Sequence, residues 1–249
     1  MIYFYANGTC RLPLQSYLRI CQKINQTPEC LPTVVISNTL KNITLPAMNE
    51  NLAELLGIIT GDGYLGKDKY ELCIALDKNA DRDYVPHVVA IIQKLFCTQA
   101  TVSFQKNVAR VKVYSKELFT YLNQTHKTPI GNKRNIHRIP LHVWSNSIYL
   151  TAFLRGLFDT DGSFHRHRPT DAAVEITSLD NQFLQQVVDA LNFLGIRATR
   201  SSKNAYVYSK EHIHQFFYKI GSSNPKNQKK YNHFCAHGTV PLAHAPEGR

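Results

Sequence analysis

The chain repeats itself, and this constrains its fold more than any other feature. The stretch "LLGIITGDG" at residues 55–63 is answered by "LRGLFDTDG" at 154–162. Gly57 corresponds to Gly156, Gly61 to Thr160, Asp62 to Asp161 and Gly63 to Gly162. A second match keeps the same order, with "VYSKE" at 113–117 and again at 207–211. Two matches in register, at nearly equal separation, mark two copies of one unit of about 100 residues.

The two copies read alike. In the first, Asn49 is a good N-cap and 51–61 a helix. "YLGKDKYELCIALD" gives two strands, with Leu72, Ile74 and Leu76 alternating toward a core. "DYVPHVVAIIQKLF" is a helix with Pro86 in its first turn, and "KELFTYLNQ" a closing helix. Between them, "ATVSFQKNVARVKVYS" forms a hairpin turning near Lys106 and Asn107. Its alternation puts Ala109, Val111 and Val113 on one face and Arg110, Lys112 and Tyr114 on the other. The second copy offers a helix over 147–160 after Ser145 and Asn146, and strands within 162–178. The helix "NQFLQQVVDALNFLG", the shorter hairpin "RATRSSKNAYVYS" and a helix at 210–219 follow. The expected fold is α+β, with two αββαββα units, antiparallel sheets and a pseudo-twofold axis. The expected division is an N-terminal extension (1–48), a first unit (49–126), a basic linker and loop (127–145), a second unit (146–232) and a tail (233–249). In the extension, Leu14, Tyr17, Leu18, Cys21 and Ile24 stand at helical spacing and predict a docked helix.

Each motif ends an apolar helix on a carboxylate, where the helix dipole disfavours an anion. Gly57 and Gly61 share one helix face, as do Gly156 and Thr160. Such flat stripes let two helices pack closely, so Asp62 and Asp161 would emerge together at one end. Paired carboxylates repel unless a cation lies between them. Oxygen ligands suit a hard ion such as Mg2+. Asp159 corresponds to Thr60, so the repeat requires no carboxylate there and a capping or hydrogen-bond role is expected.

The formal net charge of +11 points to a polyanionic partner, nucleic acid or an anionic membrane surface. No run reaches the ~18 apolar residues of a membrane span, and the start lacks the basic segment of a signal peptide. The six cysteines form no CxxC pair, and we read them as reduced thiols of an intracellular protein. The cluster "HFCAH" has too few ligands for zinc. "SFHRHRPT", with His165, Arg166, His167 and Arg168, is either a solvated turn or, as preferred here, a strand end reaching phosphates or base edges.

The doubled motif resembles that of single-chain LAGLIDADG homing endonucleases, over roughly residues 49 to 232. The resemblance implies that the motif helices form the interface between the units. It implies that Asp62 and Asp161 bind catalytic divalent metal, with Gly61 and Thr160 beside them. Mg2+ or Mn2+ would support cleavage, and Ca2+ would bind without supporting it. It also implies that the sheets form a saddle in the DNA major groove. The DNA-binding candidates are Lys67, Lys69, Arg110, Lys112 and Tyr114 in the first unit. In the second they are Arg197, Arg200, Lys203, Tyr206 and Tyr208, with His165 to Arg168. A further catalytic basic residue from each unit maps to Lys133 and Lys230, with Lys229 as a rival. The motifs depart from the family's pattern at Thr60 and Thr160. The implied function is a monomeric, site-specific endonuclease that makes double-strand breaks in duplex DNA at a long, non-palindromic target. An intron-splicing maturase and a non-cleaving nucleic-acid-binding protein are the alternatives. An intact intein is not expected of a chain that begins at Met1 and ends in "PEGR".

Overall fold

The computed structural model describes residues 14–25, 33–36, 42–131, 137–168 and 171–237. The helical spacing in the N-terminal extension produces α1 (Leu14–Lys23), which buries Cys21. Ile24 falls just past the helix and is exposed, contrary to the expectation that it completes the apolar stripe. Strands β1 (Thr33–Ile36) and β2 (Asn42–Leu45) pair antiparallel, and β2 buries Ile43 and Leu45. The segment after β2 is tied to both units: Tyr121 donates to the Pro46 carbonyl and Tyr149 to that of Met48.

Asn49 starts the first motif helix, α2 (Glu50–Asp62), by accepting the Leu52 N–H at 3.1 Å. The loss of such a cap costs about 1 kcal/mol. The unit continues through β3 (Gly63–Gly66), β4 (Glu71–Asp77), α3 (Val85–Phe96), β5 (Thr101–Gln105) and β6 (Val108–Tyr114). It closes with α4 (Lys116–Thr120), extended to Thr125 by a wider π turn. A one-turn helix, α5 (Leu141–Trp144), lies in the connector. The second unit then repeats the order: α6 (Ser147–Asp161), β7 (Gly162–Arg168), β8 (Asp171–Thr177), α7 (Asn181–Phe193), β9 (Thr199–Arg200), β10 (Asn204–Val207) and α8 (Lys210–Lys219). Asn146 caps α6 as Asn49 caps α2.

Each unit forms a four-stranded antiparallel sheet of one topology, β3-β4-β6-β5 in the first and β7-β8-β10-β9 in the second. Gly63 pairs with Ile74 and Gly162 with Ile176, so the registers correspond as well. Leu72, Ile74, Leu76, Ala109, Val111 and Val113 point to the buried side. That leaves the opposite face of the first sheet to Tyr64, Glu71, Arg110, Lys112 and Tyr114, an assignment that period-two alternation requires.

The motif helices pack backbone to backbone. A Cβ on Gly57 would lie 2.0 Å from the Phe153 carbonyl oxygen and 2.9 Å from the Leu157 nitrogen. A Cβ on Gly156 would lie 2.1 Å from the Glu54 carbonyl oxygen and 2.9 Å from the Ile58 nitrogen. Phe153 and Leu157 correspond in the repeat to Glu54 and Ile58, so the contact is reciprocal. Reciprocity of this kind is the mark of a twofold axis.

Two segments differ from expectation. In the connector, expected as a basic linker and loop, the described residues include the one-turn helix α5, and Ile139 and Val143 are buried in the common core. His126, at its start, is also buried, which pushes its pKa down to about 3 and leaves it neutral. Beyond α8 a further helix, α9 (Pro225–His237), runs through the expected boundary at 232. Its Tyr231 stacks on Phe217 at 3.9 Å between ring centres, and its Phe234 meets Phe164 at 5.5 Å.

Candidate functional site

Asp62 and Asp161 are the last residues of α2 and α6, and both are half-buried. Each is followed by a glycine in extended conformation that turns the chain straight into a strand. These glycines serve close approach, not a left-handed turn. A Cβ on Gly63 would lie 2.4 Å from the Ile59 Cα, and one on Gly162 2.5 Å from the Phe158 carbonyl oxygen. The helix ends also converge on each other. A Cβ on Gly61 would stand 2.1 Å from the Thr160 hydroxyl oxygen and 3.3 Å from the Asp161 carboxyl carbon. The crossing of the helices thus delivers both carboxylates to one end of the pair, beside the start of both sheets.

Among the described residues, no group of three or more His, Cys, Asp or Glu side chains is placed to hold a metal. The fit with a divalent ion therefore rests on two hard carboxylates from two helices. That donor set suits Mg2+ or Mn2+, which keep several waters and take the rest of their oxygen shell from substrate phosphates. It does not suit a closed zinc site.

Asp159 points elsewhere. It is 2% exposed and accepts hydrogen bonds from the Ser222 hydroxyl and, at 2.7 Å, from the Ser223 N–H. Burial raises its pKa to about 6 against the lowering effect of these donors. Glu54, in the middle of α2, is the charged residue that the sequence reading passed over. It is bound by His87 at 2.7 Å, Arg155 at 3.0 Å and Ser223 at 2.7 Å. Burial pushes its pKa up, but these partners more than reverse that, and the net shift is downward. An apolar-rich motif helix gave no sign of this cross-unit ion pair beyond the presence of a lone Glu in it.

The basic candidates are placed unevenly. Lys133 lies outside the described residues. Lys229 and Lys230 are on the exposed side of α9, and Lys229 faces Asp83 at 3.4 Å. Lys226, which the sequence reading did not single out, bonds Asp81 of the first unit at 2.7 Å.

The sheet faces carry different chemistry. In the first, Lys112 pairs with Glu71 at 3.3 Å and Arg110 bonds Gln105 at 2.9 Å. Tyr64 and Tyr114 are exposed beside them, and Lys67 and Lys69 stand in the exposed β3–β4 turn. In the second, Tyr206 stands across from Glu175 and stacks on Tyr208 at 5.0 Å between ring centres. His165 lies 3.5 Å from the same Glu175, a residue that the sequence reading also missed. Arg166, His167 and Arg168 complete β7. Arg197 and Lys203 are exposed at the hairpin's ends. Arg200 is the exception. It pairs with the buried Ala205, so it stands on the helix-covered face, where its guanidinium bonds Asn181 at 2.9 Å. The two-residue strand β9 is too short for its alternation to be read from sequence.

Known proteins are similar to this chain in two ways. The family model of the LAGLIDADG-like domain matches residues 149–221, within the second unit. Curated relatives include the replication factor C small subunit of Methanocaldococcus jannaschii, 27% identical over 73% of this chain. The ribonucleoside-diphosphate reductase NrdEB subunit alpha of Bacillus subtilis is 28% identical over 62% of it. The matched segment spans 10% of the first of these proteins and 15% of the second. Among solved structures, the homing endonuclease I-DmoI in complex with DNA and Mn superposes with a TM-score of 0.52 at 19% identity. That match covers 69% of this chain and 96% of the other. Full-length DUF199/WhiA from Thermatoga maritima matches with a TM-score of 0.50 at 17% identity, over 78% of this chain and 62% of the other. With two sheets of one topology meeting at paired motif helices, the chain has the LAGLIDADG fold and carries a LAGLIDADG-like domain in its second unit.

Proposed function

We propose that the chain is a divalent-metal-dependent, site-specific DNA endonuclease of the homing type. The observation that carries this reading is the convergence of Asp62 and Asp161 at one end of the motif-helix pair. A bound Mg2+ or Mn2+ would supply charge stabilisation at the scissile phosphate and a nucleophilic water at neutral pH. Asp62 and Asp161 would hold it with one carboxylate from each unit. Close packing at Gly57 and Gly156 would hold those carboxylates at a set separation, and positional precision of this kind is where much of an enzyme's rate advantage comes from. The two sheet faces would lie along duplex DNA, bonding base edges in the major groove while lysines and arginines neutralise phosphates. Because the two units carry different outward side chains, one chain would read two unlike half-sites as a monomer.

The relatives support a mobile element. A replication factor subunit and a reductase subunit have no activity in common, and each shares with this chain only a small fraction of its length. A segment distributed in that way behaves as an inserted module, which fits a homing function.

The test is to incubate the chain with a randomised duplex library and Mg2+ or Mn2+ and to sequence the ends produced. Cut ends at one extended, non-palindromic sequence are expected. Retained sequence-specific binding with no cut under either ion would favour the non-cleaving alternative, a DNA-binding or maturase role.

A further inference from the structure

One side chain crosses from α6 to two successive turns of α2. The Arg155 Nε donates to the Glu54 carboxylate at 3.0 Å, and its Nη2 donates to the Glu50 carboxylate at 2.8 Å. Those carboxylates are four residues apart on α2, about 6 Å along its axis. The third nitrogen, Nη1, reaches the Ile220 carbonyl just past α8 at 3.5 Å. Glu54 is 4% exposed, and His87 of α3 and the Ser223 hydroxyl also bond it, each at 2.7 Å. The fork therefore ties both motif helices to α3 and to the closing segment of the second unit.

The glycine contacts act in another direction. Gly57 on Phe153 and Gly156 on Glu54 set how near the two helices come. They define sliding along the axis less sharply, because Gly61 follows Gly57 one turn later on the same face. A slide of one turn would take the Arg155 guanidinium off one of its two carboxylates. The fork opposes that slide, since a carboxylate as buried as Glu54 is costly once its charge partner is withdrawn. Setting register is the best-attested role of a buried charge pair, whose net effect on stability is often small. Both helices run unbroken from the fork to the site, eight residues from Glu54 to Asp62 and six from Arg155 to Asp161. An error of register at the fork would reach the carboxylate pair undiminished.

We infer that Arg155 is a positioning residue: forked between Glu50 and Glu54, it fixes the register of the motif helices along their axes and, through it, the pairing of Asp62 with Asp161. The catalytic consequence rests on the proposed nuclease function. Loss of the fork impairs metal use and cleavage while the chain stays folded and the sheets still bind DNA.

The experiment compares the full wild-type chain with Arg155→Met, Arg155→Lys and the double variant Glu54→Gln/Arg155→Met. The double variant removes both charges, so it leaves no carboxylate stranded at position 54 and decides the matter where Arg155→Met alone does not fold. Single-turnover cleavage of the target selected from the library is measured against Mg2+ concentration, alongside DNA affinity. In parallel, one 4-fluorophenylalanine placed at position 153, whose backbone lies against Gly57, reports the helix contact by fluorine NMR in the free protein. Arg155→Met and the double variant should cut at least ten-fold more slowly, with the half-saturating Mg2+ raised at least five-fold and Kd for DNA within five-fold of wild type. Their fluorine line should split or broaden by exchange, where wild type gives one sharp line. Arg155→Lys, whose ammonium can serve one carboxylate at a time, should recover part of the rate and a single line. One sharp line in the folded double variant would overturn the inference, whatever the line's position. So would cleavage at the wild-type rate by that variant. A wild-type chain that cuts no sequence overturns the nuclease reading, and the fluorine spectra still decide whether Arg155 sets the register.

Discussion

Gly57 lies so close to Phe153 that a Cβ on it would stand 2.0 Å from the Phe153 carbonyl oxygen. Gly156 meets Glu54 in the same way across the axis, at 2.1 Å. The partner atoms are backbone, so no rotamer change can make room. Gly57→Ala and Gly156→Ala should each cost about 1–3 kcal/mol or more through overpacking, despite the better helix propensity of alanine. Thermal melts of both variants check this. An unchanged melting temperature in either would show that the helices do not approach as described.

Specificity should divide between the sheets. Lys112 stands across from Cys73, and Tyr206 stands across from Glu175 at the equivalent register. A lysine and a cysteine thus stand on one side of the axis where a tyrosine and a glutamate stand on the other. Lys112 suits a guanine edge and Glu175 a cytosine amino group, each worth about 1–3 kcal/mol of discrimination. Lys112→Ala should relax one half-site and Glu175→Ala the other. Arg200→Ala should relax neither, since that side chain is on the helix side of its sheet. Profiling all single-base variants of the target against the three proteins measures this.

Asp180 offers a pH-dependent stability prediction. It caps α7 through the Gln182 and Phe183 N–H groups and holds Arg138 of the connector at 3.1 Å. Burial pushes its pKa up, yet these partners leave it below the ordinary carboxylate range. A depressed folded-state pKa stabilises the fold above the unfolded value, near 4, and that contribution is lost as pH falls through the folded value. Asp180→Asn keeps the cap but removes the charge. It should cost roughly 1 kcal/mol at pH 7, and the difference from wild type should be smaller at pH 2. Denaturant melts at the two pH values check it.

Much of this fold was legible in the sequence because local rules and the repeat agree. Asn49 and Asn146 cap the motif helices, Lys106 takes the left-handed conformation at the hairpin turn, and Lys210–Lys219 is helical over the expected range. Helix α9 was missed because "PKNQKKYNHFCAH" has almost no apolar periodicity. Pro225 in the first turn, after Asn224, was the only start signal. The partners of Glu54 and Asp81 could not be read either. They come from residues 87, 155 and 223 in one case and 224 and 226 in the other, and only the tertiary fold brings these together. Arg200 misled for a different reason, since the face of a two-residue strand is set by its neighbour and not by its own pattern.

The account stands or falls on the acid pair. The most direct measurement is the double-strand cleavage rate of Asp62→Asn and Asp161→Asn on the selected target with Mg2+, with DNA affinity measured in parallel. Each variant should lose double-strand cleavage and keep wild-type affinity, and removing a carboxylate from a helix C-terminus should leave the free protein as stable as before or slightly more so. Cleavage at the wild-type rate by either variant would contradict the assignment of Asp62 and Asp161 as the metal-holding residues.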